Sequence, residues 1–108
     1  MPGYVLIAAR DPWEGGESER VFELAEALSE VRDAVTVYLT ENGVLAARAD
    51  AGERFLSPLI AAGVNVLADP FALQERGIAR DRLVAGVEPA PIEHLVDLLA
   101  RGGPALWF

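Results

Sequence analysis

Apolar runs and helically spaced segments alternate along this chain, and that alternation constrains its fold more than any other feature. "YVLIAA" (4–9), "AVTVYLT" (34–40) and "VNVLA" (64–68) are short, apolar and bounded by charge or turn residues, as strands buried on both faces are. After Ser18, a candidate N-cap, apolar residues fall at Val21, Leu24, Ala25, Leu28 and Val31, which is helical spacing. Phe55, Leu56, Leu59 and Ile60 mark a second helix face. Asp50 and Glu53 stand before it like a capping box, and Gly63 is its stop. Pro70 to Arg76 reads as a short helix ended by Gly77. "RLVAGVE" (82–88) predicts a weak strand near 83–87. Pro91 opens a last helix, with Ile92, Leu95, Val96 and Leu99 inward and Gly102 behind it. "ALWF" (105–108) is a final strand near 104–107 or an apolar tail.

Strands that alternate with helices imply right-handed crossovers and a parallel sheet covered on both faces. The fold class is therefore α/β: a single doubly wound parallel five-stranded sheet with helices on both faces. The expected strand order is flavodoxin-like, 2-1-3-4-5. A chain of 108 residues, 52% of them apolar, fits one domain spanning 1–108 with a real core. No segment reaches the roughly 18 to 20 apolar residues of a membrane span. "MPGYVLIAARDP" lacks the basic start of a secretory signal, so a cytoplasmic protein is expected.

The charge pattern excludes several functions. A net charge of −8 repels phosphate backbones, so no nucleic-acid partner is expected. All nine basic residues are Arg, which argues against Schiff-base and P-loop lysine chemistry. With Asn and Gln scarce as well, the composition fits a GC-rich genome, and a thermophile's. Cysteine is absent, so there is no disulfide, thiolate nucleophile or cysteine-based metal site. With a single His, no metal or cofactor is expected.

In a parallel sheet, ligands bind outside the carboxyl ends of the strands. The first strand end delivers Arg10, Asp11 and the loop containing Glu17; the second delivers Thr40, Glu41 and Asn42; the third delivers Asp69, with Ala72 and Arg76 behind it. Each has a plainer reading. Asp69 before Pro70 has the form of an N-cap followed by proline at the first helical position, and that reading is preferred. Asn42-Gly43 is turn chemistry. Gly15-Gly16 precedes a helix, but Glu14, Glu17 and Glu19 would repel an anion there. Arg76 can bond the end of its own helix. His94 is spaced for a surface pair with Asp97. Trp13 and Trp107-Phe108 are either interface groups or packed ones.

Four segments together resemble the DsrE/DsrF-like family of sulfur-relay proteins, which includes TusD-type subunits. "GESERVFELAEAL" is similar to the family's loop and first helix, and "VTVYLTENGVLAA" to its second strand and turn. "AGVNVLADPFALQERGI" is similar to its third strand and short helix, and "VAGVEPAPIEHLVDLL" to its closing segment. The resemblance implies a parallel α/β domain that self-associates as a trimer or hexamer. It also implies partners among sulfur-relay proteins. Active members carry a persulfide-forming cysteine near the positions of Asp69 and Ala72, and this chain has none. An aspartate cannot carry a persulfide. The chain is thus expected to be a non-catalytic accessory or binding subunit with no sulfurtransferase activity of its own. The alternative is a small enzyme or ligand-binding protein using the polar strand ends.

Overall fold

In the computed structural model, which describes residues 3–15, 17–31 and 34–108, five strands form one all-parallel sheet. The strands are β1 (Tyr4–Ala8), β2 (Val35–Leu39), β3 (Asn65–Ala68), β4 (Glu88–Pro89) and β5 (Ala105–Trp107). The helices are α1 (Glu17–Val31), α2 (Glu53–Ala61), α3 (Pro70–Glu75) and α4 (Ile92–Ala100). Tighter 3-10 turns cover Glu41–Ala47 and Arg80–Arg82.

The α/β class and the parallel sheet are as the alternation requires. The order across the sheet is β4-β3-β2-β1-β5, whereas the sequence reading expected 2-1-3-4-5. The second neighbour of β1 is β5, and β3 lies beyond β2. The chain therefore steps from β1 through β4 in one direction, and only the last crossover runs back. Right-handed crossovers then place α1 and α2 on one face and α4 on the other. The two cores agree. Leu6, Ala8, Val37, Leu39 and Val66 pack with Val21, Ala25, Phe55, Leu56 and Leu59. On the opposite face Val5, Ile7, Tyr38 and Leu67 pack with Ala90, Leu95 and the half-buried Leu98.

Several local expectations change. The expected strand at 83–87 is instead a turn. Leu83 makes an antiparallel bridge to Arg48, the Val87 N–H bonds the Val84 carbonyl, and Gly86 takes φ +97°. Pairing in this region begins only at Glu88. No capping box opens α2: its N-cap is Gly52, and a Cβ there would lie 1.6 Å from the Ala46 carbonyl oxygen. Ser18 lies inside the first turn of α1, and Gly16 is outside the described residues. No ion pair joins His94 to Asp97, and both are exposed. Gly63, Gly77 and Gly102 do end their helices at positive φ.

The largest correction concerns α4. Of its four expected inward residues only Leu95 is buried, while Ile92, Val96 and Leu99 are 50%, 57% and 38% exposed. Ile92, Leu95, Val96, Leu98 and Leu99 cover more than half of this helix's circumference, opposite Glu93, His94 and Asp97, so the apolar arc is wider than one buried face and spacing alone did not select it. The contacts of Leu95 and Leu98 with the sheet select it.

Candidate functional site

With β1, β2 and β3 side by side, their carboxyl ends are neighbours, and the chain is threaded between them by backbone bonds. The Thr40 N–H bonds the Ala8 carbonyl, and the Asp69 N–H bonds the Leu39 carbonyl, at 3.0 and 2.9 Å. Gly43 follows because the 3-10 turn crosses the end of β1. A Cβ at Gly43 would lie 1.9 Å from the Ala8 oxygen, so no larger residue fits.

Asp69 is the N-cap of α3. Its Oδ1 accepts the Phe71 N–H at 3.0 Å, as the Asp-Pro pattern predicts. Its Oδ2 accepts the hydroxyl of Thr40 at 2.9 Å. That second bond joins the ends of β2 and β3 and satisfies a buried hydroxyl. At the other end of the same helix, Arg76 reaches back. Its Nε and Nη2 both donate to Asn42 Oδ1, at 3.1 and 3.0 Å, and its Nη1 donates to the Ala72 carbonyl at 3.2 Å. Arg76 therefore closes its own helix, as expected, and also ties α3 to the turn after β2. Ala72 is buried and contributes only its carbonyl.

The remaining expected residues do not join these two clusters through any described bond to Asp69 or Arg76. Asp11 shapes its own loop by accepting the Trp13 N–H at 2.9 Å. Arg10 and Glu41 are exposed. Glu41 has φ +48°, a left-handed conformation that costs a non-glycine residue roughly 1–2 kcal/mol. Glu17 opens α1, and its side chain lies outside the described residues. Trp13 packs within the chain, although 41% of it stays exposed. It meets Phe55 edge-on at 5.3 Å and carries the Arg48 guanidinium over its ring at 5.1 Å.

Sequence reasoning missed Tyr38. It is fully buried on the α4 face, and its hydroxyl donates to the Ala90 carbonyl at 3.0 Å. Burial, with the Asp69 and Glu93 carboxylates adding to it, pushes its pKa up to about 12. Alternation within "VTVYL" was the available signal, since it places Tyr38 on the face opposite Val37 and Leu39. Among the described residues, no buried side-chain oxygen or nitrogen lacks a partner, and no group of acidic or His side chains could hold a metal. The strand ends are thus a closed polar seam in which side chains satisfy one another.

Comparison with known proteins places this geometry. The crystal structure of the Escherichia coli protein ychN superposes with a TM-score of 0.91 at 23% identity, covering 100% of each chain. MTH1491 from Methanobacterium thermoautotrophicum, a protein of unknown function, superposes with a TM-score of 0.74 at 21% identity, covering 98% of this chain and 97% of its own. No curated protein matches the sequence. At these identities the structural likenesses show the fold. The profile of the DsrE/DsrF-like family matches residues 3–108. The chain belongs to the DsrE/DsrF-like family.

Proposed function

We propose that this chain is a non-catalytic DsrE-like subunit that works by assembly, as a trimer or hexamer of itself, beside cytoplasmic partners of a sulfur relay. The observation that carries the reading is the outer face of α4. Ile92, Val96 and Leu99 lie at helical spacing and are exposed, on the one helix that covers that side of the sheet among the described residues. Trp107, 64% exposed, sits opposite Ile7 in the sheet register and so shares that side. A second copy of the chain is the simplest cover for such a stripe.

Chemistry supports the same reading. A sulfur carrier needs a nucleophilic sulfur, and the chain has no cysteine. At the place where the family resemblance puts a thiol, Asp69 has both carboxylate oxygens engaged, and Ala72 is buried. The reading is tested by light scattering together with intact mass after exposure to a persulfide donor. The expected result is a trimer or hexamer with no added sulfur. A monomer at micromolar concentration, or a mass gain of one sulfur atom per chain, overturns it. The alternative of a small-ligand enzyme at the strand ends has less support, because those polar groups already bond each other.

A further inference from the structure

Seventeen acidic residues and nine arginines make this chain strongly acidic, yet three of the nine arginines line one cleft. Arg48, Arg76 and Arg82 line it together with Gly77 and Ile78, and Asp50 is its lining carboxylate. The cleft lies between the end of the 41–47 turn and the loop that follows α3. Backbone pairing fixes its two sides. The Ala49 N–H bonds the Arg82 carbonyl and the Val84 N–H bonds the Ala47 carbonyl, both at 2.8 Å.

Two of the guanidinium groups are held in place without being neutralised. Arg76 donates to the Asn42 amide oxygen and the Ala72 carbonyl. The Nε of Arg48 donates to the Leu45 carbonyl at 3.0 Å, and its guanidinium rests on Trp13. Every one of these acceptors is uncharged. A guanidinium has more N–H donors than these bonds use, so both groups keep their charge and further donors. Both residues are half-buried, where charge is less screened than at the open surface. Arg82 is exposed and lines the same cleft. Planar, preoriented guanidinium groups match tetrahedral oxyanions, which can accept from several of them at once.

We propose that this cleft is a binding site for a small doubly charged tetrahedral oxyanion, a phosphate group held by Arg48, Arg76 and Arg82. The site does not depend on the assembly reading, since it uses none of the α4 surface.

Trp13 supplies the readout, because an anion drawn to Arg48 disturbs the cation resting on its ring. In a Trp107→Phe background, fluorescence is titrated with inorganic phosphate and, in a second arm, phenyl phosphate, with chloride holding ionic strength constant. A saturable change is expected with inorganic phosphate. A tighter response to phenyl phosphate identifies a phosphomonoester as the preferred source, and an equal or weaker one identifies the free ion. Arg82→Gln weakens binding roughly tenfold or more, as loss of a charge-assisted bond does. Asp50→Asn tightens it. Arg20→Gln, which removes the same charge from exposed α1, leaves it unchanged. A response that never saturates, or one that Arg82→Gln and Arg20→Gln reduce equally, overturns the proposal.

Discussion

Thr40 donates its hydroxyl to Asp69 Oδ2 at 2.9 Å, and so one side-chain bond joins the ends of β2 and β3. The same carboxylate caps α3 through Oδ1. Asp69→Ala removes the cap and leaves a buried hydroxyl unpaired, which together cost about 2–4 kcal/mol. Asp69→Asn keeps an oxygen for the Phe71 N–H, and a rotated Thr40 hydroxyl can accept from the new amide, so its loss stays near about 1 kcal/mol. Urea unfolding of both variants checks this. Equal losses would show that the carboxylate's charge, rather than its hydrogen bonds, stabilises the site.

Gly43 is fixed by the Ala8 carbonyl. Gly43→Ala drives a methyl into backbone that cannot yield without separating the turn from β1, at an expected cost of about 1–3 kcal/mol or more. Gly77→Ala has open space around its Cβ and pays only for positive φ, about 1–2 kcal/mol. Thermal unfolding of the two variants should rank them in that order.

The buried Tyr38 predicts an alkaline transition. Its folded pKa is raised to about 12 from the ordinary 10. Above pH 10 the unfolded chain releases this proton while the folded chain retains it. The stability it contributes is therefore complete below pH 10 and is lost as pH rises through 12. Stability measured from pH 9 to 12 should fall. In Tyr38→Phe that part of the fall should vanish, along with a phenolate absorbance step near pH 12.

Val96 tests the assembly face. Val96→Glu places a charge in the middle of the exposed stripe on α4, at a residue the monomer leaves 57% exposed. The expected outcome is a monomeric protein with unchanged circular dichroism. Retention of the parent's mass in light scattering would move the interface elsewhere.

How far the sequence revealed the molecule depended on the kind of signal. β1, β2, β3 and α1 were legible because their apolar spacing has one interpretation. The Asp69 cap and the Arg76 closure were legible because both are local, set by neighbours within four residues. The bonds from Thr40 to Asp69 and from Arg76 to Asn42 were not, since they depend on which strands lie side by side. Strand order itself is fixed by where the last crossover lands, and α1 and α4 look alike to a periodicity argument. The face of α4 was misread for a related reason. A helix whose apolar arc is wider than one packed face leaves more than one candidate for the buried part, and the packing of Leu95 with Ile7 and Tyr38 chooses among them.

The pairing of β5 with β1 has a consequence in time. Val5 lies beside Ala105, and Ile7 beside Trp107, so the interior strand β1 is made long before its partner β5. Until then β1 is an open edge, with β2 on one side and nothing on the other. The growing chain can build β1 to β4 and the first core before β5 exists, and that edge stays uncovered until β5 is made. Premature association of nascent chains through this edge is the hazard the topology creates, and completion of the final strand ends it.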